Sequence, residues 1–400
     1  MNVKLPAPSA LASHWDLDPE VVFLNHGSYG ACPRVVLEEQ ARLRARIEAE
    51  PVRFFVADIE HELDLVKVRL GEFLGAQSED LAFVTNATSG VNTVLRSLNL
   101  GPTDELLVTD HEYNACRNAL DFVAARSGAA VVVAHVPFPL SDPEEVVEAL
   151  LAKVTERTCL ALVDHITSAT GMVMPIEAIV RRLNERGVDT LVDGAHSPGQ
   201  LDLNLDALGA AYYSGNCHKW LCTPKGSALL HVRRDRQDRI RPLSISHGAN
   251  STRRDRSRFR LEADWTGTQD PTPVLCIPAA IDAMGALFPG GWEELRRTNR
   301  ALALAGRDAL LAAIGGEAPC PDEMISHLAA VVLPQDTTPH EGAYEDPLQE
   351  ALIAEHSVQV PVIRWAPLNS RFLRISAQAY NSLEQYEHLA SSLTALGLGS

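Results

Sequence analysis

The 400-residue chain reads as an α/β protein, with a large domain on a mostly parallel sheet and a smaller α+β domain after it. Three observations predict this. Short apolar runs alternate with helix-like stretches from about residue 80 to 232, which requires crossover units and parallel strands. The runs VVVAHV and TCLALV are apolar almost throughout, as strands covered on both faces should be. After about residue 240 the alternation gives way to longer helices with short strand-like pieces.

The elements follow in order. The first sixty residues are helix-rich and are expected to pack on the small domain. Seven strands are predicted at Leu81–Thr85, Glu105–Thr109, Ala130–Pro137, Thr158–His165, Asp189–Asp193, Ala210–Ser214 and Ser227–Val232. Amphipathic helices fall between them near 88–99, 114–128, 142–154 and 175–187. Pro143 followed by two glutamates, and Pro175 ahead of a helix closed by Gly187, mark two of the helix boundaries. Segment 234–260, rich in Arg, Asp and Ser, reads as a surface excursion. Helices are expected near 275–287 and 292–313, strand-like pieces at 327–333 and 371–376, and a last helix near 382–396. The expected divisions are 1–60 for the N-terminal segment, 61–270 for the large domain and 271–400 for the small one.

Composition narrows the function. The chain is 46% hydrophobic and 22% charged, with a net charge of −17. That balance suits a globular protein and argues against a nucleic-acid surface, which needs a basic face. Apolar runs are strand-sized, short of the roughly 20 residues of a membrane span. The N-terminus shows no apolar core after a basic start. The seven cysteines form no CxxC pair, which fits a reducing compartment. A cytoplasmic location is expected, with no nucleic-acid or membrane partner.

Chemistry in such sheets sits at the carboxyl ends of the strands, and four motifs fall there. Asn86-Ala87-Thr88-Ser89-Gly90 opens a helix with small hydroxylated residues. Its free N–H groups suit a phosphate, or simply a cap. Asp193-Gly194-Ala195-His196 puts a carboxylate at a buried strand end, which is costly unless paired. A cationic pyridine nitrogen, a helix cap or a metal would each serve. Asp164, His165, Asp193, His196 and His218 could form such a metal cluster, but no pair has His-x-x-x-His spacing. In Ser214-Gly215-Asn216-Cys217-His218-Lys219-Trp220, burial beside an aromatic would free the lysine amine for imine chemistry. The alternative is a solvated loop lysine. Asp110-His111-Glu112-Tyr113-Asn114 offers a ring to stack on a flat cofactor or a group to move a proton, or else a polar cap.

Together with Leu24-Asn25-His26-Gly27-Ser28-Tyr29-Gly30, Pro198-Gly199, Trp265-Thr266-Gly267-Thr268-Gln269-Asp270 and Arg371-Phe372-Leu373-Arg374-Ile375-Ser376, these motifs resemble the class V aminotransferase family. That family has the fold of type I pyridoxal-phosphate enzymes, and the resemblance is nearest to its isopenicillin N epimerase-like branch. It implies a seven-stranded large domain that binds pyridoxal 5′-phosphate. Lys219 would carry the cofactor as a Schiff base, Asp193 would pair with its ring nitrogen and His196 with its phenolic oxygen. Ala87, Thr88, Asn216 and His218 would hold the phosphate. Thr268 would reach the phosphate of a neighbouring subunit, which implies a homodimer with shared sites. Arg374 would bind the substrate carboxylate, with Asn25 and His26 at the pocket rim. Tyr113 or His111 would lie over the ring, Tyr113 being favoured as stacking group and second proton donor. No metal is implied.

The resemblance implies reaction at the α-carbon of an amino acid. Epimerisation or racemisation leads. A C–S lyase acting on a cysteine conjugate or sulfoxide, like the hercynylcysteine sulfoxide lyases, and an aminotransferase are the alternatives. Persulfide chemistry is disfavoured, because Val358 to Arg374 contains no Cys.

Overall fold

The central feature is a seven-stranded sheet whose strands are nearly all buried on both faces. The computed structural model describes residues 5–399 except 337–341, 343, 345 and 367–369. A short strand β1 (Val22–Phe23) comes first. The sheet strands are β2 (Leu81–Val84), β3 (Glu105–Thr109), β4 (Ala130–Ala134), β5 (Thr158–Asp164), β6 (Asp189–Asp193), β7 (Tyr212–Asn216) and β8 (Ala228–Val232). Their order is β2-β8-β7-β6-β5-β3-β4, and β8 alone runs against its neighbours. All seven predicted strands are present.

Alternate residues of each strand enter different cores, as a period of two demands. Leu106 and Val108 of β3, with Leu160 and Leu162 of β5, join a core under helices Ala87–Ser97 and Asn114–Ser127. Leu107, Ala161 and Val163 join the other core, under helices Ile59–Leu74, Glu144–Leu151 and Ile176–Asn184. The Leu-rich run of β5 is apolar because neither face meets water, whereas the Val-rich β4, at the sheet edge, is only partly buried.

Several boundaries differ from expectation: β2 ends at Val84, β4 at Ala134 instead of Pro137, β5 at Asp164, and β8 starts at Ala228. β7 spans Tyr212–Asn216, not Ala210–Ser214, because antiparallel pairing with β8 continues to Asn216 opposite Ala228. Ser214, Gly215 and Asn216 are therefore in the strand, and the loop begins at Cys217.

The C-terminal part holds β9 (Leu328–Leu333), β10 (Val358–Gln359), β11 (Val362–Trp365) and β12 (Ser370–Ser376). β9, β11 and β12 form an antiparallel sheet with β12 in the middle. Helices Gly291–Ile314 and Leu383–Leu393 pack together beside it. The latter starts with a capping box between Ser382 and Gln385. β1 pairs in parallel with β10, so the N-terminal segment is laced to strands more than 300 residues away.

Segment 234–260 lies at the surface as short 3-10 turns, then helix Arg258–Ala263. It is anchored by ion pairs: Arg260 bonds Asp64, Glu79 and Asp264, and the buried Lys67 pairs with Asp264. Among the described residues, no helix is long and apolar enough to cross a membrane.

Candidate active site

The sheet order reverses between β3 and β5, and strand ends around that point converge on one hollow. It has two continuous parts. One, of about 480 Å³, is lined by Asn86–Ser89, Asp164, Asp193, Ala195, His196, Asn216 and His218. The other, of about 800 Å³, is lined by Asp110, Glu112, Arg117, His135, Trp365 and Arg374 among others. Ser28, Tyr29, Tyr113, Ser168 and Lys219 line both.

Lys219 stands between the two parts. Its Nζ lies 3.1 Å from His196 Nε2. Desolvation first, then the Arg374 charge, lowers its pKa to about 8, so an uncharged amine is accessible near neutrality. The partner ring fits that state. Trp220 Nε1–H donates to His196 Nδ1 (3.3 Å), and an indole N–H only donates. Nδ1 therefore carries no proton, and the His196 proton sits on Nε2, aimed at the Lys219 nitrogen. Burial holds this imidazole neutral by pushing its pKa well down.

The Lys219 loop is gripped from both sides. His26 Nε2–H donates to the Lys219 carbonyl (3.0 Å) while Nδ1 accepts from Tyr380 O–H (2.9 Å). Gly30, at φ +73°, lies so close that a Cβ would sit 2.3 Å from the His218 carbonyl. Gly199 approaches the Trp220 carbonyl equally closely. Both positions need glycine for conformation and for space. His26 is thus a brace behind the lysine and does not line the hollow. Its full burial and low pKa of about 3 agree with that corrected place. Asn25 acts one step back too, accepting from Ser28 Oγ–H (2.6 Å).

Asp193 ends β6, 1% exposed. Its Oδ1 accepts from Ala195 N–H (2.9 Å) and its Oδ2 from Cys116 S–H (3.0 Å). Burial raises its pKa, and among the described residues no Lys or Arg is bonded to it. At the mouth of helix Ala87–Ser97, Asn86 accepts from Ser89 N–H and Asn216 from Ala87 N–H, both at 2.8 Å. The Thr88 N–H keeps no partner among the described residues, which leaves a donor at the positive end of the helix dipole. His218 Nδ1–H is committed to the Ser227 carbonyl (2.8 Å).

Across the hollow, Arg374 of β12 is 3% exposed and faces no carboxylate among the described residues. Its guanidinium donates to the Ser168 carbonyl and to Ser28 Oγ (3.2 Å), and Nε has no acceptor. Burial lowers its pKa to about 10. A buried, unpaired cation on a cavity wall is a docking point for an anion.

One further expectation changes. His111 does not line the hollow. It is 1% exposed, with Nδ1 3.3 Å from Thr170 Oγ1 and its ring against Phe138, whereas Tyr113 is 41% exposed and lines both parts. Thr268 is exposed on a segment flanking a separate hollow, so the single chain does not bring it to Lys219. The metal alternative does not assemble either. His165 bonds Tyr213 O–H, and the groupings with ligand geometry among the described residues are other ones. Sequence reading missed Ser168, Cys116 and the site-facing place of Glu112. Their side chains are of common types, and only the fold turns them inward.

The donors fit pyridoxal phosphate. A buried carboxylate without a cation suits a protonated ring nitrogen, a free N–H at a helix start suits a phosphate, and a lysine amine of lowered pKa suits an aldehyde. Such a sheet and site define an enzyme with the fold of type I pyridoxal-phosphate enzymes. The model of the family "Aminotransferase class-V" matches residues 23–389, and the chain belongs to that family. It is 36% identical to the isopenicillin N epimerase of Amycolatopsis lactamdurans, covering 95% of this chain and 96% of that one. It is 27% identical to an L-cysteine desulfhydrase of Arabidopsis thaliana, covering 98% and 93%. Among solved structures it is similar to a mutant of the cystine C–S lyase C-DES with glycine covalently linked to its pyridoxal-phosphate cofactor. The TM-score there is 0.79 at 20% identity, over 96% of this chain and 98% of that one.

Proposed function

We propose that the chain is a pyridoxal-phosphate enzyme that inverts the α-carbon of an amino acid, an epimerase or racemase. The observation that carries this reading is one hollow lined by a lysine amine with lowered pKa, an unpaired buried arginine and a second proton-bearing group, Tyr113. The 36% identity to an isopenicillin N epimerase over nearly the full length supports it.

Lys219 Nζ would hold the cofactor aldehyde, Asp193 its ring nitrogen, His196 Nε2–H its phenolic oxygen, and Ala87, Thr88, Asn216 and His218 its phosphate. When bound, the cofactor supplies a cationic aromatic ring that draws electrons from the substrate α-carbon. Arg374 would bind the substrate α-carboxylate with its planar fork, held by the Ser168 carbonyl and by the Asn25–Ser28 pair. Lys219 Nζ would take the α-proton on one side. Tyr113, whose phenol burial keeps protonated, would supply one on the other. Thr268 and the exposed Tyr29 (77%) would meet a second copy in a homodimer.

The desulfhydrase relative supports a second reading, C–S cleavage of a cysteine derivative. Persulfide transfer is not favoured, because no cysteine lines either part of the hollow among the described residues. Incubation with a panel of L-amino acids and cysteine conjugates in D2O separates the readings. Appearance of the D-enantiomer with α-deuterium and no pyruvate supports inversion. Pyruvate with a released thiol would replace it by the lyase.

A further inference from the structure

In the wall of the hollow the chain buries three carboxyl groups from three segments. Glu112 comes from the loop after β3, Asp164 from the end of β5 and Asp193 from the end of β6, at 4%, 3% and 1% exposure. Asp164 and Asp193 are register partners on adjacent strands. One carboxylate oxygen each of Glu112 and Asp193 lies within 4.8 Å of the other and of Cys116 Sγ. The three are not equivalent. Both oxygens of Asp193 accept hydrogen bonds, from Ala195 N–H and Cys116 S–H. Among the described residues, no well-formed hydrogen bond reaches either oxygen of Glu112 or Oδ2 of Asp164, and the Tyr113 N–H is near enough only to oppose slightly the rise in their pKa. Among the described residues, the cations lining the same hollow, Lys219, Arg374, Arg117 and Arg364, form no ion pair with Glu112; Arg117 is turned to Asp121 and Arg364 to Asp346. On its own segment Glu112 is flanked by His111 and Tyr113.

Three buried carboxyl groups crowded together with so few donors are costly to ionise, and a retained proton relieves that cost by turning one into a donor. We propose that Glu112 is a positioning residue that keeps its carboxyl proton and donates it to Asp164, which is itself protonated, so that Asp193 is the ionised member of the three, facing the cofactor ring nitrogen. The last clause rests on the cofactor reading above. Burial first, then the charges of Asp164 and Asp193, pushes the Glu112 carboxyl well above the ordinary carboxylate range. Burial, then Asp193, does the same to Asp164. Burial also raises Asp193, but its two donors and the Lys219 charge oppose that.

The test compares Glu112→Gln, Glu112→Ala and Asp164→Asn with the wild type. In the cofactor-free chain, a carboxyl with raised folded pKa stabilises fully below the unfolded value of about 4.3 and loses that contribution as pH rises. Melting temperatures are measured from about pH 5 to 8, the window of that loss. The advantage of Glu112→Gln over wild type should grow steadily with pH, and Asp164→Asn should behave alike. A pH-independent difference for both variants would overturn the retained proton. With pyridoxal phosphate added, the pH at which the bound-cofactor absorbance changes should stay put in Glu112→Gln. It should move in Glu112→Ala, where Asp164 turns its own proton on Asp193. Equal shifts in both would overturn the positioning role. A wild type that never binds the cofactor would sink the cofactor reading instead, and the melting series would still decide the proton.

Discussion

The two parts of the hollow are built on different rules. The smaller part is walled by the carboxyl ends of central strands and a helix start, and several of its polar groups already hold fixed partners: Asn86 on Ser89, Asn216 on Ala87, His196 on Trp220. The larger part draws its wall from the other end of the chain, β11 and β12, and carries a guanidinium with unspent hydrogen-bonding capacity. The first is shaped for one unchanging guest. The second leaves volume and charge for guests that differ. The difference teaches that reaction type and substrate choice are separable in this molecule, with Lys219 and Tyr113 on the seam.

Four outcomes sharpen or break that division, from the largest effect to the smallest. Lys219→Ala should abolish turnover, by about a thousandfold or more, and borohydride treatment should then add no cofactor mass to residue 219. A retained yellow, reducible adduct would move the cofactor elsewhere. Tyr113→Phe should lower inversion by roughly a hundredfold while solvent exchange of the α-proton continues. Equal loss of both would take Tyr113 out of the proton-donating role. Arg374→Ala should raise KM for amino acids more than tenfold, about 1.4 kcal/mol, with a smaller change in kcat; unchanged kinetics would show that carboxylate docking lies elsewhere.

The fourth outcome couples the halves through charge. Attachment needs the free Lys219 amine, so the rate of cofactor uptake by the empty chain should rise with pH and level off above about 8. An ordinary lysine would level off only near about 10.4. In Arg374→Ala the levelling point should move upward, because the Arg374 charge is the second cause of the lowered pKa. An unmoved profile would make the two halves electrostatically independent.

Much of this was legible in the chain itself. Seven apolar runs located the seven sheet strands, because strands buried on both faces leave no polar interruption. The short β10 and β11 and helix Pro347–His356 were not visible, since partly exposed strands of two to four residues around Pro361 make no periodic signal. Lys219, Asp193, His196 and Arg374 were marked by residue type at strand ends. His26 and His111 show the limit. A sequence reveals that a histidine is near a site but not which way its ring turns, and both rings face away from the hollow into the protein. Glu112 sat unweighed inside a motif whose aromatic neighbours drew the attention, and only three-dimensional proximity to Asp164 and Asp193 gives it meaning.

The lacing of β1 to β10 has a practical consequence for truncated forms. Leu24 N–H donates to the Gln359 carbonyl (3.0 Å), and the Leu24 carbonyl accepts from Ser376 N–H (2.9 Å). Gly27 N–H donates to Ser376 Oγ (3.0 Å). A product begun just past Gly30, by internal initiation or proteolytic trimming, would retain every strand of the large sheet. It would lack the His26 brace and the Ser28 contact to Arg374. It would also strip Trp15, Val22 and Leu24 out of two cores, so trimming the N-terminus reaches the packing of the chain as well as the wall of the hollow.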